Sequence, residues 1–346
     1  MDRLKQSLYL DDLDFVCGKP SDWSALANKV VAVSGATGMI GTVLVDSLLR
    51  KNDADGLGCR VVALGRSAER AARRLPYGHR SDYAFEEMDV SVPGARMREK
   101  PDVVFHLASA THPRQYATQP VGTITANVTG TVNLMECLDE GGAFVLASSV
   151  EIYGQNRGDV DLFDEGYLGY IDCNTVRAGY PEAKRTCEAL CQAYAAERGV
   201  RVAIPRLPRT YGPTLLRSDT KALSQFLWKG LAGEDIVLKS KGDQFFSYLY
   251  AADVVTGMLW ALQEGERGAA YNIADEGSDI TLADLARLVA DLCGTKVVFD
   301  LPDAVEAAGY STATRAALDA TKLKALGWAP RFDMASGISR TLELLK

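Results

Sequence analysis

No run of about 20 apolar residues occurs in this 346-residue chain, so nothing in it reads as a membrane span. The first 28 residues hold several aspartates and no apolar segment of the kind a secretory signal carries. Positive charge is also in deficit. Lys and Arg number 38 against 45 Asp and Glu, a net charge of −7, which removes electrostatic support for non-specific nucleic-acid binding. Any anionic ligand must therefore meet locally gathered cations. The seven cysteines (Cys17, Cys59, Cys137, Cys173, Cys187, Cys191 and Cys293) include no Cys-x-x-Cys pair, so they read as reduced thiols of a cytoplasmic protein. Cys187 and Cys191 stand one helical turn apart with no histidine nearby, which suits core packing, and no metal site is expected. Repeats and low-complexity tracts are missing too.

What is present is ordinary globular sequence, 47% hydrophobic and 24% charged, which argues against disorder. Residues 1–28 read as a polar, partly helical extension. Short β-branched runs at 29–34, 60–64, 85–90, 102–107, 143–148 and 200–205 alternate with helical patterns at 39–50, 124–138 and 180–198. That order predicts an α/β fold of the Rossmann type: a doubly wound parallel sheet with ligands at the carboxyl ends of its strands. Helices near 220–231 and 282–292 predict a smaller, partly discontinuous C-terminal lobe. Residues 29–205 with about 250–273 form the expected dinucleotide-binding unit, and 206–249 with 274–346 the substrate lobe.

Between the first strand and first helix stands Gly35-Ala-Thr37-Gly38-Met39-Ile40-Gly41, where glycines permit a tight turn and close approach of a pyrophosphate to a helix N-terminus. After the second strand, where a carboxylate would bind the ribose hydroxyls of NAD, the chain has Gly65, Arg66 and Ser67. A guanidinium and a hydroxyl suit a 2′-phosphate, so NADP is favoured with NAD left open; Arg66 stacked on adenine is the competing reading. Asp89 and Val90 are placed to reach the adenine edge, and Leu107, Ala108 and Ser109 to line the cofactor, unless they simply pack their loop.

Tyr180 and Lys184, four apart on a predicted helix, share one face. A free tyrosine titrates near pH 10, and a close ammonium favours its phenolate; a lowering of roughly three units corresponds to about 4 kcal/mol. The pair predicts a tyrosine poised to move a proton.

Together with the glycine turn, His106-Leu-Ala, Ser148-Ser149-Val150-Glu151-Ile152-Tyr153-Gly154, Tyr180-x-x-x-Lys184 and Tyr211-Gly-Pro, the chain from about Lys29 onward resembles the extended short-chain dehydrogenase/reductases of the NAD-dependent epimerase/dehydratase family, which act on nucleotide sugars. The stretches 113–130 and 177–180 look most like UDP-glucuronate decarboxylases, with dTDP-glucose 4,6-dehydratases close behind. The resemblance implies that Tyr180 deprotonates the sugar 4-hydroxyl as hydride passes to the nicotinamide. Lys184 then lowers the tyrosine pKa and bonds the nicotinamide ribose, and Ser149 shares the hydroxyl's hydrogen bond. Glu151 stands where dehydratases and decarboxylases carry a glutamate able to take the proton from carbon 5. Two positions depart from the pattern. Val150 replaces the dehydratases' aspartate, and Phe246 replaces an arginine that contacts the substrate diphosphate. Arg209, where an asparagine is usual, is expected to replace the lost charge with Arg315 and Lys221. The resemblance also implies a homodimer joined through the tyrosine helix, with Leu190 and Ala193 on its face, and the one preceding it. A redox-neutral epimerase or dehydratase is the leading reading. A decarboxylase, a net NADPH-dependent carbonyl reductase and a non-catalytic sensor are the others.

Overall fold

The computed structural model describes residues 2–20, 22–109, 118–300 and 314–346; part of the 113–130 stretch therefore lies outside the described residues. Strands β1 (Val30–Ser34), β2 (Arg60–Gly65), β3 (Tyr83–Glu87), β4 (Val103–His106), β5 (Ala143–Leu146), β6 (Ser148–Ser149) and β7 (Arg201–Leu207) join a later strand, β11 (Ala270–Asn272), in one eight-stranded sheet. Its order is β3-β2-β1-β4-β5-β7-β11, with β6 beside β7, and every pairing is parallel. Alternation along each strand divides the core. Val31, Val33, Val61, Ala63, Val103 and Phe105 pack on one face, while Ala32, Val62, Leu64, Val104 and Phe144 pack on the other.

Helices α2 (Met39–Asp55), α3 (Ala68–Arg74), α4 (Pro120–Met135) and α5 (Gly179–Arg198) connect these strands. α2 runs to Asp55, past the expected 50, and stops where Gly56 takes a left-handed conformation. α4 begins at Pro120 rather than 124, because a proline in the first turn sacrifices only an amide that would be unpaired anyway. β3 lies two residues earlier than expected: Asp89 turns the chain by accepting from the Ser91 amide.

After β7 come β8 (Arg209–Tyr211), α6 (Ala222–Leu231), β9 (Ile236–Leu238), β10 (Phe245–Tyr250), α7 (Ala251–Gln263) and β11. They are followed by β12 (Asp279–Thr281), α8 (Leu282–Cys293), β13 (Val297–Phe299), β14 (Arg315–Ala316), α9 (Thr321–Lys324) and α10 (Met334–Leu345). A second, four-stranded sheet has the order β12-β10-β14 with β8 pairing β10. β9 and β13 form a parallel pair.

The stretch before β1 is not a solvated appendage. Helix α1 (Ser7–Cys17) packs on α2, α7 and α10 and buries Tyr9, Leu13 and Val16. Its polar residues are part of the reason: Asp12 is 1% exposed and accepts from Tyr250 (2.6 Å) and Arg340 (2.6 Å). Asp46 of α2, also buried, accepts from Arg3 (2.8 Å), Tyr9 (2.6 Å) and Tyr77 (2.9 Å). Polarity here marks paired buried carboxylates rather than exposure. No helix among the described residues is long and apolar enough to cross a membrane.

Candidate active site

β1 has β2 on one side and β4 on the other, so the chain's winding reverses at its carboxyl end and leaves a crevice there. The glycine turn sits in that crevice. Gly35 has φ +70°, and a Cβ on it would lie 2.8 Å from the Ala108 amide nitrogen; a Cβ on Gly41 would strike the Gly35 carbonyl. Gly38 is the extended residue before α2, whose first amides, including those of Met39 and Ile40, open the helix with no side-chain cap. Thr37 is half-buried beside them. A concave backbone that any side chain would fill, facing a helix N-terminus, fits a dinucleotide pyrophosphate.

Beneath this turn, Ser34 Oγ accepts from the amides of Leu107 and Ala108 (3.2 Å each) and lies 2.7 Å from His106 Nδ1. With both amides donating to it, the hydroxyl proton goes to Nδ1 and His106 carries its own proton on Nε2. Burial, with the Lys184 charge adding to it, pushes His106 down to about 3, so it is neutral. Arg66 is exposed at the end of β2. Ser67 is engaged locally, its hydroxyl capping α3 by accepting from the Arg70 amide (3.2 Å). Asp89 accepts from the amide and hydroxyl of Ser91 (2.9 and 2.6 Å). Partial burial pushes this carboxyl up, but those hydrogen bonds and the Arg66 charge outweigh it and hold it below the usual carboxylate range. Val90 is buried, its carbonyl accepting from Asn133.

On the other side of the crevice Tyr180 opens α5, 6% exposed, its phenol hydrogen-bonded to the hydroxyls of Ser149 and Ser109. Ser149 and Ser109 leave the ends of β6 and β4, so residues 40 apart in sequence converge on one phenol oxygen, that of Tyr180 at the start of α5. Glu151 is half-buried and close enough for its charge to act on the phenol. Ser149 Oγ also accepts the Glu151 amide (3.2 Å), capping the 3-10 turn Val150–Tyr153.

The expected depression of Tyr180 by Lys184 is not what these side chains produce. Burial dominates and holds the phenol well above its ordinary value; the bonds from Ser149 and Ser109 oppose it, and Glu151 reinforces it. Lys184, 2% exposed, donates to the Ala147 carbonyl (2.8 Å) with Nζ 5.9 Å from the Tyr180 ring centroid, and burial lowers its own pKa. Burial therefore works against phenolate formation at Tyr180. Positive charge brought beside the phenol would oppose that rise.

The three cations proposed for an anionic substrate are split by the second sheet. Arg209 pairs with Tyr248, and its guanidinium lies 3.4 Å from the Phe246 ring centroid. Arg315 pairs with Phe245 and stacks on that ring at 4.7 Å, its Nε donating to the Asp161 carbonyl (2.8 Å). Successive residues of a strand face opposite sides, so Arg209 and Arg315 stand on opposite faces of β10. Lys221 precedes α6 and lies 3.7 Å from Asp219. Arg209 Nη1 is buried and has no hydrogen-bond partner among the described residues.

Behind the site lie the buried Ser148 and the partly buried Glu188 and Arg206, none of them a candidate site residue from the sequence. Glu188 had a signal: it continues the Tyr180, Lys184 stripe by one more turn of α5.

A parallel α/β sheet with a glycine turn at its switch point and a Ser-Tyr-Lys cluster facing it defines a dinucleotide-dependent enzyme. The chain belongs to the NAD dependent epimerase/dehydratase family, whose model matches residues 31–274. It is 30% identical over 318 residues to UDP-glucuronic acid decarboxylase 5 of Arabidopsis thaliana, covering 90% of this chain and 88% of the relative. It is 28% identical over 322 residues to UDP-glucuronic acid decarboxylase 1 of Xenopus tropicalis, covering 92% and 72%. Among solved structures, the UDP-glucose 4-epimerase of Thermotoga maritima with UDP-glucose superposes with a TM-score of 0.76 at 22% identity, covering 91% of this chain and 97% of that one. The dTDP-glucose 4,6-dehydratase of Streptomyces venezuelae with NAD bound gives 0.74 at 22% identity, covering 91% and 96%.

Proposed function

We propose that this protein oxidises a nucleotide sugar at carbon 4, carries out a step at carbon 5, and reduces carbon 4 again with no net use of cofactor. The observation that carries this reading is the Tyr180 phenol held by Ser149 and Ser109 with Glu151 beside it, across the crevice from the glycine turn. Gly35, Thr37, Gly38, Met39, Ile40, Gly41, Leu107 and Ala108 would hold the dinucleotide, with Arg66, Asp89 and Val90 toward its adenosine end. A bound NAD supplies the hydride acceptor and, when oxidised, a positive charge. Tyr180 takes the proton of the 4-hydroxyl, Ser149 and Ser109 aim that proton, and Lys184 holds the charge balance from behind. Once carbon 4 is a ketone, a proton on carbon 5 is acidic and Glu151 is the carboxylate placed to take it.

Decarboxylation of a uronic acid is the second reading, favoured by the curated relatives and by Val150. That side chain is 5% exposed and has no proton to give a leaving 6-hydroxyl; loss of carbon dioxide from the 4-keto acid expels no hydroxyl, and the enolate it leaves takes a proton at carbon 5. The NADP preference rests on Arg66 alone, since Ser67 caps α3 and the Asp89 carboxylate stays ionised nearby. The eight-stranded sheet fits a cofactor unit of 29–205 with 250–273, and the four-stranded sheet a substrate lobe of 206–249 with 274–346. Val121 (72% exposed) and Ile124 on α4, with Ala193 exposed and Leu190 half-buried on α5, support pairing with a second copy through these helices.

The test is incubation with NAD and UDP-glucuronate, UDP-glucose or dTDP-glucose in deuterated water. Catalytic turnover without added reduced cofactor, with deuterium at carbon 5, is expected. Stoichiometric consumption of NADPH would establish a carbonyl reductase instead.

A further inference from the structure

The short segment that carries Ser149 and Glu151 is pinned at both ends, and one partly buried ion pair joins the pins. At its start Ser148 Oγ donates to Glu188 Oε1 (2.5 Å). At its end the Tyr153 hydroxyl accepts from Arg206 Nη1 (2.9 Å) and donates to Asn272 Oδ1 (2.7 Å). Arg206 and Glu188 then meet in a fork, Nε to Oε1 at 3.1 Å and Nη2 to Oε2 at 2.8 Å, with side chains 11% and 14% exposed. Arg206 Nη1 also donates to the Glu165 carbonyl (3.0 Å), and its guanidinium lies 5.1 Å from the Tyr153 ring centroid.

An ion pair this far withdrawn from water contributes little net stability once its desolvation is counted, so its location is informative. Glu188 lies one turn beyond Lys184 and two beyond Tyr180 on α5. The fork therefore ties the helix bearing the tyrosine to the segment bearing its hydrogen-bond partner. Ser149 is extended (φ −151°, ψ 151°) directly after the Ser148 pin, and its Oγ receives the Glu151 amide. A shift of Ser148 moves both groups relative to the phenol.

We propose, building on the functional reading above, that Glu188 and Arg206 are positioning residues: they fix the spacing between Tyr180, Ser149 and Glu151 by clamping both ends of the Ser148–Tyr153 segment to α5 and β7. Neither touches the reacting atoms; both act through Ser148 and Tyr153.

The test compares Ser148→Ala, Glu188→Gln and Arg206→Lys in the full chain with NAD. Amide hydrogen exchange across 150–153 is expected to speed about tenfold or more in Ser148→Ala and Glu188→Gln, while β1 and β4 keep their protection. With UDP-glucuronate as probe, kcat falls about tenfold or more and KM stays within about twofold, since misplacement costs rate rather than binding. Arg206→Lys, keeping the charge but not the fork, falls between. Unchanged exchange in the segment, or KM rising with kcat unaltered, overturns the proposal. If Glu188→Gln fails to fold, Ser148→Ala decides alone, because it leaves the ion pair intact. Wild-type protein that reduces no NAD with any nucleotide sugar contradicts the functional reading, while the exchange comparison still decides the clamp.

Discussion

Arg209 stacks its guanidinium 3.4 Å from the centroid of the Phe246 ring, leaving a buried Nη1 with no hydrogen-bond partner among the described residues. The ring holds the cation in place while one of its donors awaits a partner, and a diphosphate oxygen is the acceptor the proposed substrate would bring. Arg209→Ala is expected to weaken UDP binding by calorimetry roughly 10- to 100-fold, the range for a charge-assisted hydrogen bond, and to leave uridine binding unchanged. Equal loss for both ligands would show that the arginine supports the lobe and not a phosphate.

The N-terminal helix is predicted to be part of the folding unit. Arg340→Ala strands the buried Asp12 carboxylate, which among the described residues would keep only its bond from Tyr250. The expected cost is about 3 kcal/mol in denaturant unfolding, the order found when one partner of a buried pair is removed. A change below about 0.5 kcal/mol would place this contact with ordinary surface pairs.

Asp253 gives a pH signature. It accepts from the Arg331 and Phe332 amides (2.7 and 3.1 Å), yet burial lifts its carboxyl to about 7. The folded state therefore holds a proton that the unfolded chain, with a carboxyl near 4, releases. Stability from this group is full below about pH 4 and is lost as pH rises through 7, on the order of 4 kcal/mol in all. Urea midpoints from pH 4 to 8 should fall less steeply in Asp253→Asn than in wild type; parallel profiles would assign the trend to other carboxyls.

Much of this was legible in the chain. Periodicity and glycines located β1, α2 and the Gly35 turn, because a buried parallel strand and a tight βα turn leave strong local marks. The spacing of Tyr180 and Lys184 gave their shared helix. What depended on tertiary burial was hidden. The aspartates of α1 look solvated until Arg340 and Tyr250 are brought to them from more than 200 residues away. The upward push on the Tyr180 phenol follows from how deeply it is buried, which no spacing reports. Strand register decided that Arg209 and Arg315 lie on opposite faces of β10, and register is a property of the pairing rather than of either segment.

If Tyr180 takes the proton from a sugar hydroxyl as carbon 4 is oxidised, reduced nicotinamide formed in a single turnover reports that step. Wild-type protein loaded with NAD and mixed with a turned-over nucleotide sugar should show the ultraviolet absorbance of the reduced ring rising and then decaying. Tyr180→Phe should lower that rate by about 10²- to 10⁴-fold while NAD binding persists. An undiminished rate in Tyr180→Phe would mean that another group takes the proton.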